Sequence, residues 1–439
     1  MPAEFRNWSG FQRFTPRAYF EPATLSQVVE AVGDAATDGR KIRVVGNAHS
    51  FSEIVRTDDT LMSLKAMSGL IDADVESGRV RVRGGTSIHT LSPTLDKLGL
   101  ALPNLGDIDV QSIAGAVATG THGTGERFAS VSAQVLAMQL VTADGSIVEI
   151  DESDMTTLKA ARVSLGALGV VTELTLQCVP AFTLDRLDLP RPLSETFETL
   201  DELSANFDHF EYYIFPYTDR AIQKRINRTD AAPAPMPAAK KFFNEVIFEN
   251  WTLAALVNAG KLVPSAIPSL ARGATKTFSP VHHVDKSYEI FSTVRNVRFN
   301  ELEYAVPRAN LREAVERVMA VVQEHQFPVN FPIEVRVGRA DEDCLLSTAA
   351  GRETGYISVH MFKGMNFEPY FHAVEAIMDG FDGRPHWGKI NWQTAEKLAP
   401  RYAGWDEFQA VRTRLDPAGV FTNDYIERVL GPVGAARPA

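Results

Sequence analysis

The sequence predicts an α+β protein of two domains and a tail, on three observations. Residues 15–180 alternate short apolar strands with amphipathic helices and carry glycine-bearing turns at the strand ends, an α/β texture. After Pro180 aromatic strands take over, such as Phe210-Glu211-Tyr212-Tyr213-Ile214-Phe215. The 439 residues, 45% hydrophobic and 23% charged, suit two or three globular domains and exclude a disordered, collagen-like or coiled-coil chain. We place the domains at 1–178 and 179–395, with 396–439 packing back on the first.

Each element has a local reason. Thr24 with Gln27 makes a capping box ahead of Val28, Val29, Val32 and Ala36, and Gly39 ends that helix. Ile42 to Val45 reads as a buried strand feeding a glycine turn, and Val80 to Arg83 as a second strand before Gly84-Gly85. A helix around Leu91–Leu98 stops at Gly99, and strands follow at 134–142 and 170–177. The Ala/Pro-rich stretch 231–240 reads as a loop or linker. Asn310 caps a helix to Glu324 with Val315, Val318, Met319 and Val322 on one face. Strands flank 334–337 and 356–362, and a helix covers 368–379.

Charge and composition narrow the function. With 44 basic and 55 acidic residues the net charge is −11 and there is no basic stripe, which argues against nucleic acid as a partner. Cys178 and Cys344 are too few for a disulfide framework or a structural zinc site and fit a reducing, cytoplasmic compartment. The ten histidines are dispersed, and His282 and His283 point apart on a strand, so no metal is expected. The N-terminus has no signal-peptide core, and no apolar run reaches the ~18 residues of a membrane span. The apolar region Phe242–Leu270, interrupted by residues such as Glu245, Lys261 and Pro264, reads as domain core, with weak membrane-surface contact as the alternative.

Four constellations carry chemistry. In Val45-Gly46-Asn47-Ala48-His49-Ser50, Gly46 permits a tight turn whose N–H groups face an anion and which presents His49; a solvated loop histidine is the alternative. The glycine spacing is not the G-x-G-x-x-G dinucleotide fingerprint. Asn104-Leu105-Gly106-Asp107 and Ser112 to Gly125 are too rich in glycine for a good helix or packed strand, and suit close backbone approach to a pyrophosphate. Alternation puts Glu334 and Arg336 on one strand face. Arg384-Pro385-His386-Trp387-Gly388-Lys389 gathers two fixed cations, an imidazole and an aromatic ring. His360 faces either this site or the core.

In their order, G-x-x-H-S at 46–50, L-P-N-L-G at 102–106, A-G-x-V-A-T-G-T-H-G-T-G at 114–125, E-x-R at 334–336 and H-W-G-K at 386–389 resemble the FAD-linked aldonolactone oxidoreductases of the vanillyl-alcohol-oxidase group, nearest the actinobacterial L-gulono-1,4-lactone dehydrogenase branch. The tail Asp416 to Tyr425 is similar too. The resemblance implies a PCMH-like FAD-binding domain and an α/β cap that closes over the flavin. It implies oxidation of an aldono-1,4-lactone of the L-gulono-1,4-lactone type beside the lactone carbonyl, with hydride passing to flavin N5 and an ascorbate-type product. An alditol or carbohydrate oxidase of the same fold is the alternative, and the electron acceptor is O2, cytochrome c or a quinone.

Residue by residue, the resemblance implies that FAD lies against Val45, Gly46, Asn47, Ala48, His49, Ser50, Asn104, Gly106, Asp107, Ser112, Gly115, Ala118, Thr119, Gly120, Thr121, His122, Gly123, Val171 and Asn423. His49 falls where relatives attach the flavin 8α-methyl group, and Gly106 where a glycine leaves room for O2. Glu334, Arg336, Lys389, His360 and His386 are the catalytic candidates, with Glu334 ranked ahead of His360 and His386 as proton acceptor. Asp107, Phe362 and Trp387 are the substrate candidates; Asp107 and Phe362 replace a serine and a threonine of the alditol oxidase pattern, which favours a lactone ring over a polyol.

Overall fold

Residues 3–235 and 252–435 are described by the computed structural model; the linker residues 236–240 and the apolar residues 242–251 lie outside them. Strand β1 (Ala18–Phe20) leads into α1 (Leu25–Thr37). Thr24 Oγ1 accepts the Gln27 amide proton while Gln27 Oε1 accepts that of Ala23, a capping box displaced by one residue. The helix buries Val28, Val32 and Ala35. β2 (Ile42–Val45) and β3 (Thr60–Ser63) pair in parallel, with β3 central in the order β1-β3-β2.

A five-stranded antiparallel sheet follows. It is built from β4 (Leu70–Asp74), β5 (Arg79–Arg83), β6 (Val135–Val141), β7 (Ile147–Ile150) and β8 (Val170–Gln177), in the order β7-β6-β8-β5-β4. Its helices are α2 (Ile88–Lys97), α3 (Ile113–Ala118) and α4 (Met155–Arg162). Helix α3 corrects the reading of the glycine-dense stretch as unable to form a helix. Ser112 Oγ accepts the Gly115 amide proton at 3.3 Å and starts a single short helix, and Gly120, at φ +69°, follows its end.

The third sheet has eight strands. They are β9 (Thr183–Pro192), β10 (His209–Ile214), β11 (Arg220–Thr229), β12 (Val281–Lys286), β13 (Phe299–Pro307), β14 (Ile333–Gly338), β15 (Thr354–Phe362) and β16 (Arg384–Pro385), in the order β12-β9-β11-β10-β14-β15-β13-β16. Alternation sends Tyr212, Leu302, Tyr304, Val335, Val337, Ile357 and Val359 to one face. There they pack with Val315, Val318, Phe371 and Val374 of the helices at Leu311–Glu324 and Glu368–Asp379. Asn310 precedes the first of these but makes no side-chain cap bond; its backbone is already helical and belongs to a 3-10 turn at 308–310.

The opposite face carries Glu211, Lys224, Glu301, Glu303, Glu334, Arg336, Ser358 and His360, and all eight are buried. Such a face is tolerable only when its charges meet one another. Helix Trp405–Leu415 and the residues after it complete the first core, where Trp405, Phe408, Tyr425 and Ile426 join Val135, Leu140 and Leu158. The helices at Thr252–Leu262 and Ile267–Thr275 come from the apolar region; Val257 and Ile267 are buried, whereas Leu262 and Val263 are exposed. Among the described residues no helix is long and apolar enough to cross a membrane.

Arg43 on β2 ties the tail to this first core. Its guanidinium is buried and donates to Ile54 O at 2.8 Å, Leu165 O at 2.7 Å, Gly166 O at 3.2 Å and Phe421 O. Burial, then the neighbouring Arg412, pulls its pKa down to about 9. Arg43→Leu strands those carbonyls, and each unmet buried acceptor costs about 1–3 kcal/mol. We expect a loss of at least roughly 3 kcal/mol in denaturant unfolding; wild-type stability in the variant would refute this role.

Candidate active site

A cavity of about 660 Å³ lies between the charged face of the large sheet and the loops of the first domain. Glu334 and Arg336 of β14, His360 of β15 and Glu301 and Glu303 of β13 line its sheet side. His49 and Ser50, Gly106 and Asp107, Thr119, Thr121 and His122, and His386 with Gly388 and Lys389 line the rest, and Trp8, Phe51 and Phe299 add an aromatic wall. Strand register brings the sheet residues together: Tyr213 stands opposite Glu334, Glu211 opposite Arg336, Glu334 opposite Ser358, and Glu301 opposite His360.

Two charged groups result. In the first, Arg336 Nη2 bonds both Glu334 Oε1 and Asp107 Oδ1, and its Nε donates to Glu211 Oε2 at 2.8 Å. Arg295 Nη2 holds Asp107 Oδ2 at 2.7 Å, and Lys224 Nζ pairs with Glu211 Oε1. The Tyr213 hydroxyl lies 2.9 Å from Glu334 Oε1 and 3.1 Å from Glu211 Oε1. Burial would raise all three carboxyls. Arg336, Lys224 and Arg295 overcome it at Asp107, and Lys224 and Arg336 at Glu211, so both sit below the usual carboxylate range. Glu334 goes the other way. Burial, with Asp107 and Glu211 beside it, outweighs Arg336 and pushes it up to about 7.

In the second group Lys389 Nζ pairs with Glu301 Oε2, and His360 Nε2 lies 3.5 Å from Glu301 Oε1. Against burial, Lys389 and His360 hold Glu301 down at about 2. His122 Nε2 meets Glu303 Oε1 at 2.7 Å and Ser358 donates to Glu303 Oε2 at 2.6 Å. His386 Nδ1 accepts the Gly388 amide proton at 3.0 Å, and burial with Lys389 and His122 nearby pushes its pKa down to about 4. With that lone pair already taken, His386 is withdrawn as a proton acceptor.

A narrower slot opens from the cavity into the first domain; the two share His49, Ser50, Gln111 and Thr119. The slot is walled by Val45 to Ser50, Gly84-Gly85, Ser112, Ala114, Gly115, Ala118 and Val171. Among the described residues no carboxylate lines it, while Arg43 and Lys65 do. The turns can close only as glycines: a Cβ on Gly46 would sit 2.1 Å from Ser112 Oγ, and one on Gly85 1.9 Å from Leu64 O. Main-chain amides, hydroxyls and cations without an acid make a donor set that fits the diphosphate of FAD. Ala48 at φ +58° turns the chain so that His49 stands where slot and cavity meet, stacked on Trp8 at 5.6 Å. Burial, then Lys389, lowers the His49 pKa to about 4, leaving a neutral ring.

The D-arabinono-1,4-lactone oxidase family profile matches residues 174–429, and an FAD-binding-domain profile matches residues 16–151. The chain belongs to the D-arabinono-1,4-lactone oxidase family. It is 47% identical to L-gulono-1,4-lactone dehydrogenase of Mycobacterium tuberculosis, over 97% of this chain and 99% of that one. It is 32% identical to L-gulonolactone oxidase of Mus musculus, over 97% and 98%. A cholesterol oxidase structure from B. sterolicum superimposes with a TM-score of 0.80 over 97% and 96% of the two chains, at 19% identity, which speaks for the fold alone.

Within this FAD-dependent family, several residues read from the sequence lie elsewhere. Trp387 is fully buried, donates to Leu346 O at 2.8 Å and stacks on Tyr402, so it does not line the cavity. Phe362 stacks on Phe331 at 6.4 Å, outside the lining. Asn423 caps the helix Asp424–Leu430 and donates to carbonyls of Glu53, Ile54 and Arg56, away from the slot. Asn104 donates to Thr124 O, and Gly123 packs on Leu105 O; these two and Gly120 brace the loops without lining either cavity. Arg384 turns to carbonyls of Thr348, Ala350 and Arg401. The sequence reading missed Glu211, Tyr213, Lys224, Arg295, Glu301 and Glu303. The acids at alternate positions in Asn300-Glu301-Leu302-Glu303-Tyr304, inside an apolar strand, were the available signal.

An acid whose folded pKa is raised stabilises the fold below its ordinary pKa and loses that contribution as pH rises through the folded value. For Glu334 the window runs from its ordinary 4.5 to about 7. Glu334→Gln should therefore be more stable than wild type above the window, by up to about 3 kcal/mol, and show no such advantage below it. Equal stability differences at both pH extremes, in denaturant unfolding, would sink this reading.

Proposed function

We propose that the protein oxidises the hydroxyl-bearing carbon beside the carbonyl of an aldono-1,4-lactone of the L-gulono-1,4-lactone type. The observation that carries this is the Glu334–Arg336 pair in the lining of a cavity that joins the FAD slot at His49, Ser50, Gln111 and Thr119. A sugar lactone is neutral and rich in hydroxyls, and here it meets alternating carboxylate acceptors and fixed cationic donors beside an aromatic wall. The relatives named for L-gulono-1,4-lactone and L-gulonolactone support the substrate class.

Bound FAD supplies the two-electron acceptor for the hydride of the substrate C–H bond. Glu334 takes the hydroxyl proton; poised at about 7, it is ionised and basic at once. Arg336 orients that carboxylate. Lys389, held by Glu301 and 5.2 Å over the Phe51 ring, adds a second fixed cation to the cavity lining, where it stabilises negative charge developing on oxygen. His360 donates from Nδ1 to Pro332 O at 3.1 Å, which fixes its ring orientation. His49, a neutral imidazole at the junction of slot and cavity, is the residue we assign to covalent attachment of FAD.

Stopped-flow reduction by L-gulono-1,4-lactone tests the reading. Glu334→Gln should keep FAD but slow reduction at least about 10²-fold. The wild-type rate should rise with pH through an inflection near the value of Glu334, because only the ionised carboxylate accepts a proton; a variant as fast as wild type overturns the assignment. On a denaturing gel the wild-type band should fluoresce as flavin and His49→Ala should not; a dark wild-type band removes the covalent link.

A further inference from the structure

We propose that Tyr213, held by Lys224 and Glu211, is a positioning residue that keeps the Glu334 carboxylate ionised and aimed at the cavity. The inference rests on Glu334 being the proton acceptor.

Tyr213 does not line the cavity. It stands behind Glu334, directly opposite it in the β10–β14 register. Its hydroxyl is within reach of carboxylates on three separate elements: Glu334 at 2.9 Å, Glu211 at 3.1 Å and Asp107 at 3.4 Å. A phenol has one proton and serves one acceptor at a time. Lys224 decides which. Its Nζ donates to the Tyr213 oxygen at 3.2 Å and also pairs with Glu211. With Glu211 thus satisfied and Asp107 held by Arg336 and Arg295, the phenolic proton is left for Glu334. Burial and the surrounding carboxylates keep the phenol protonated well beyond its ordinary range, so it always has a proton to donate to a carboxylate while its oxygen accepts from Lys224. Arg336 and Tyr213 both reach Oε1 of Glu334, and Oε2 has no protein donor among the described residues.

The charged and titratable groups facing Glu334 are Arg336 on its own strand, Glu211 and Tyr213 on β10, Lys224 on β11, Asp107 from the first domain and Arg295 from the segment before β13. On the other flank Ser358 is opposite it, and His360 pairs with Glu301 and, through it, Lys389. Removing the phenolic hydroxyl deletes a donor to the ionised form. Removing the Lys224 ammonium leaves the Glu211 charge with Arg336 as its remaining ion-pair partner, less compensated beside Glu334. Both changes raise the proton affinity of Glu334.

The test compares the acid limb of flavin reduction in five holoenzymes: wild type, Tyr213→Phe, Lys224→Met, Lys224→Arg and Glu334→Gln. We expect the limb to move up by about one pH unit in Tyr213→Phe and Lys224→Met, a roughly tenfold slower rate on the acid side, and to return in Lys224→Arg. The infrared band of the protonated Glu334 carboxyl, identified by its loss in Glu334→Gln, should titrate with the same shifts. If Tyr213→Phe does not load flavin, the two Lys224 variants and the infrared titration decide. A role confined to structure would alter flavin content or melting temperature and leave limb and band in place, and that result overturns the proposal. A limb that persists in Glu334→Gln overturns the acceptor assignment instead; one that vanishes there yet stays put in Tyr213→Phe and Lys224→Met overturns this inference alone.

Discussion

The structure depends on a sheet face that carries charge and is buried all the same. Its other face packs under two amphipathic helices in the ordinary way. The charged face has no such cover of its own, and several ionised side chains taken out of water are tolerable only if they meet partners closely. The partners come from both sides of the cleft. Asp107 and His122 come from the first domain, and Arg336, Arg295 and Glu303 from the second half of the chain. The closure of the cleft and the neutralisation of the face are therefore one event, and neither half of the chain presents a finished site alone.

That coupling also separates the roles of chemically similar groups. Asp107, Glu211 and Glu334 converge so closely that their carboxylate oxygens could hold a metal ion, yet guanidinium and ammonium groups fill the space between them. The cations are unevenly shared. Asp107 lies between two arginines and Glu211 between an arginine and a lysine, whereas Glu334 has, among the described residues, Arg336 alone within salt-bridge distance and two anions beside it. One carboxyl of three is left basic, and it is one that faces the cavity. Like residues become unlike in function through their neighbours.

The FAD slot follows a different logic. Among the described residues it has no acid in its walls, and its glycines allow approaches to Ser112 Oγ and to the Leu64 carbonyl where a Cβ would collide. Arg43 serves this part twice: it lines the slot, and by gathering carbonyls from residues 54, 165, 166 and 421 it fixes the loops around it and anchors the tail. Electrostatics thus sorts the two compartments, with donors and cations around the slot and matched ion pairs around the cavity.

Much of this was legible in the sequence, because some information is local. The helix 368–379, the strand Ile42–Val45, and Glu334 with Arg336 on one face follow from caps, periods and glycine turns within a few residues. The ordered motifs carried the family and its cofactor. What only tertiary structure decided were choices between partners distant in sequence. Trp387 and Phe362 are adjacent to, or two residues from, side chains that line the cavity, yet both turn into packing, because strand and loop geometry gives neighbouring or successive positions different surroundings. Glu211 and Lys224 gave no sign of belonging to a site until strands far apart in the chain were placed in register, and the alternation of Glu301 and Glu303 did not say which partners they would meet. A side chain's charge is written in the sequence; the proton affinity it acquires depends on which other charges the fold brings within a few ångströms.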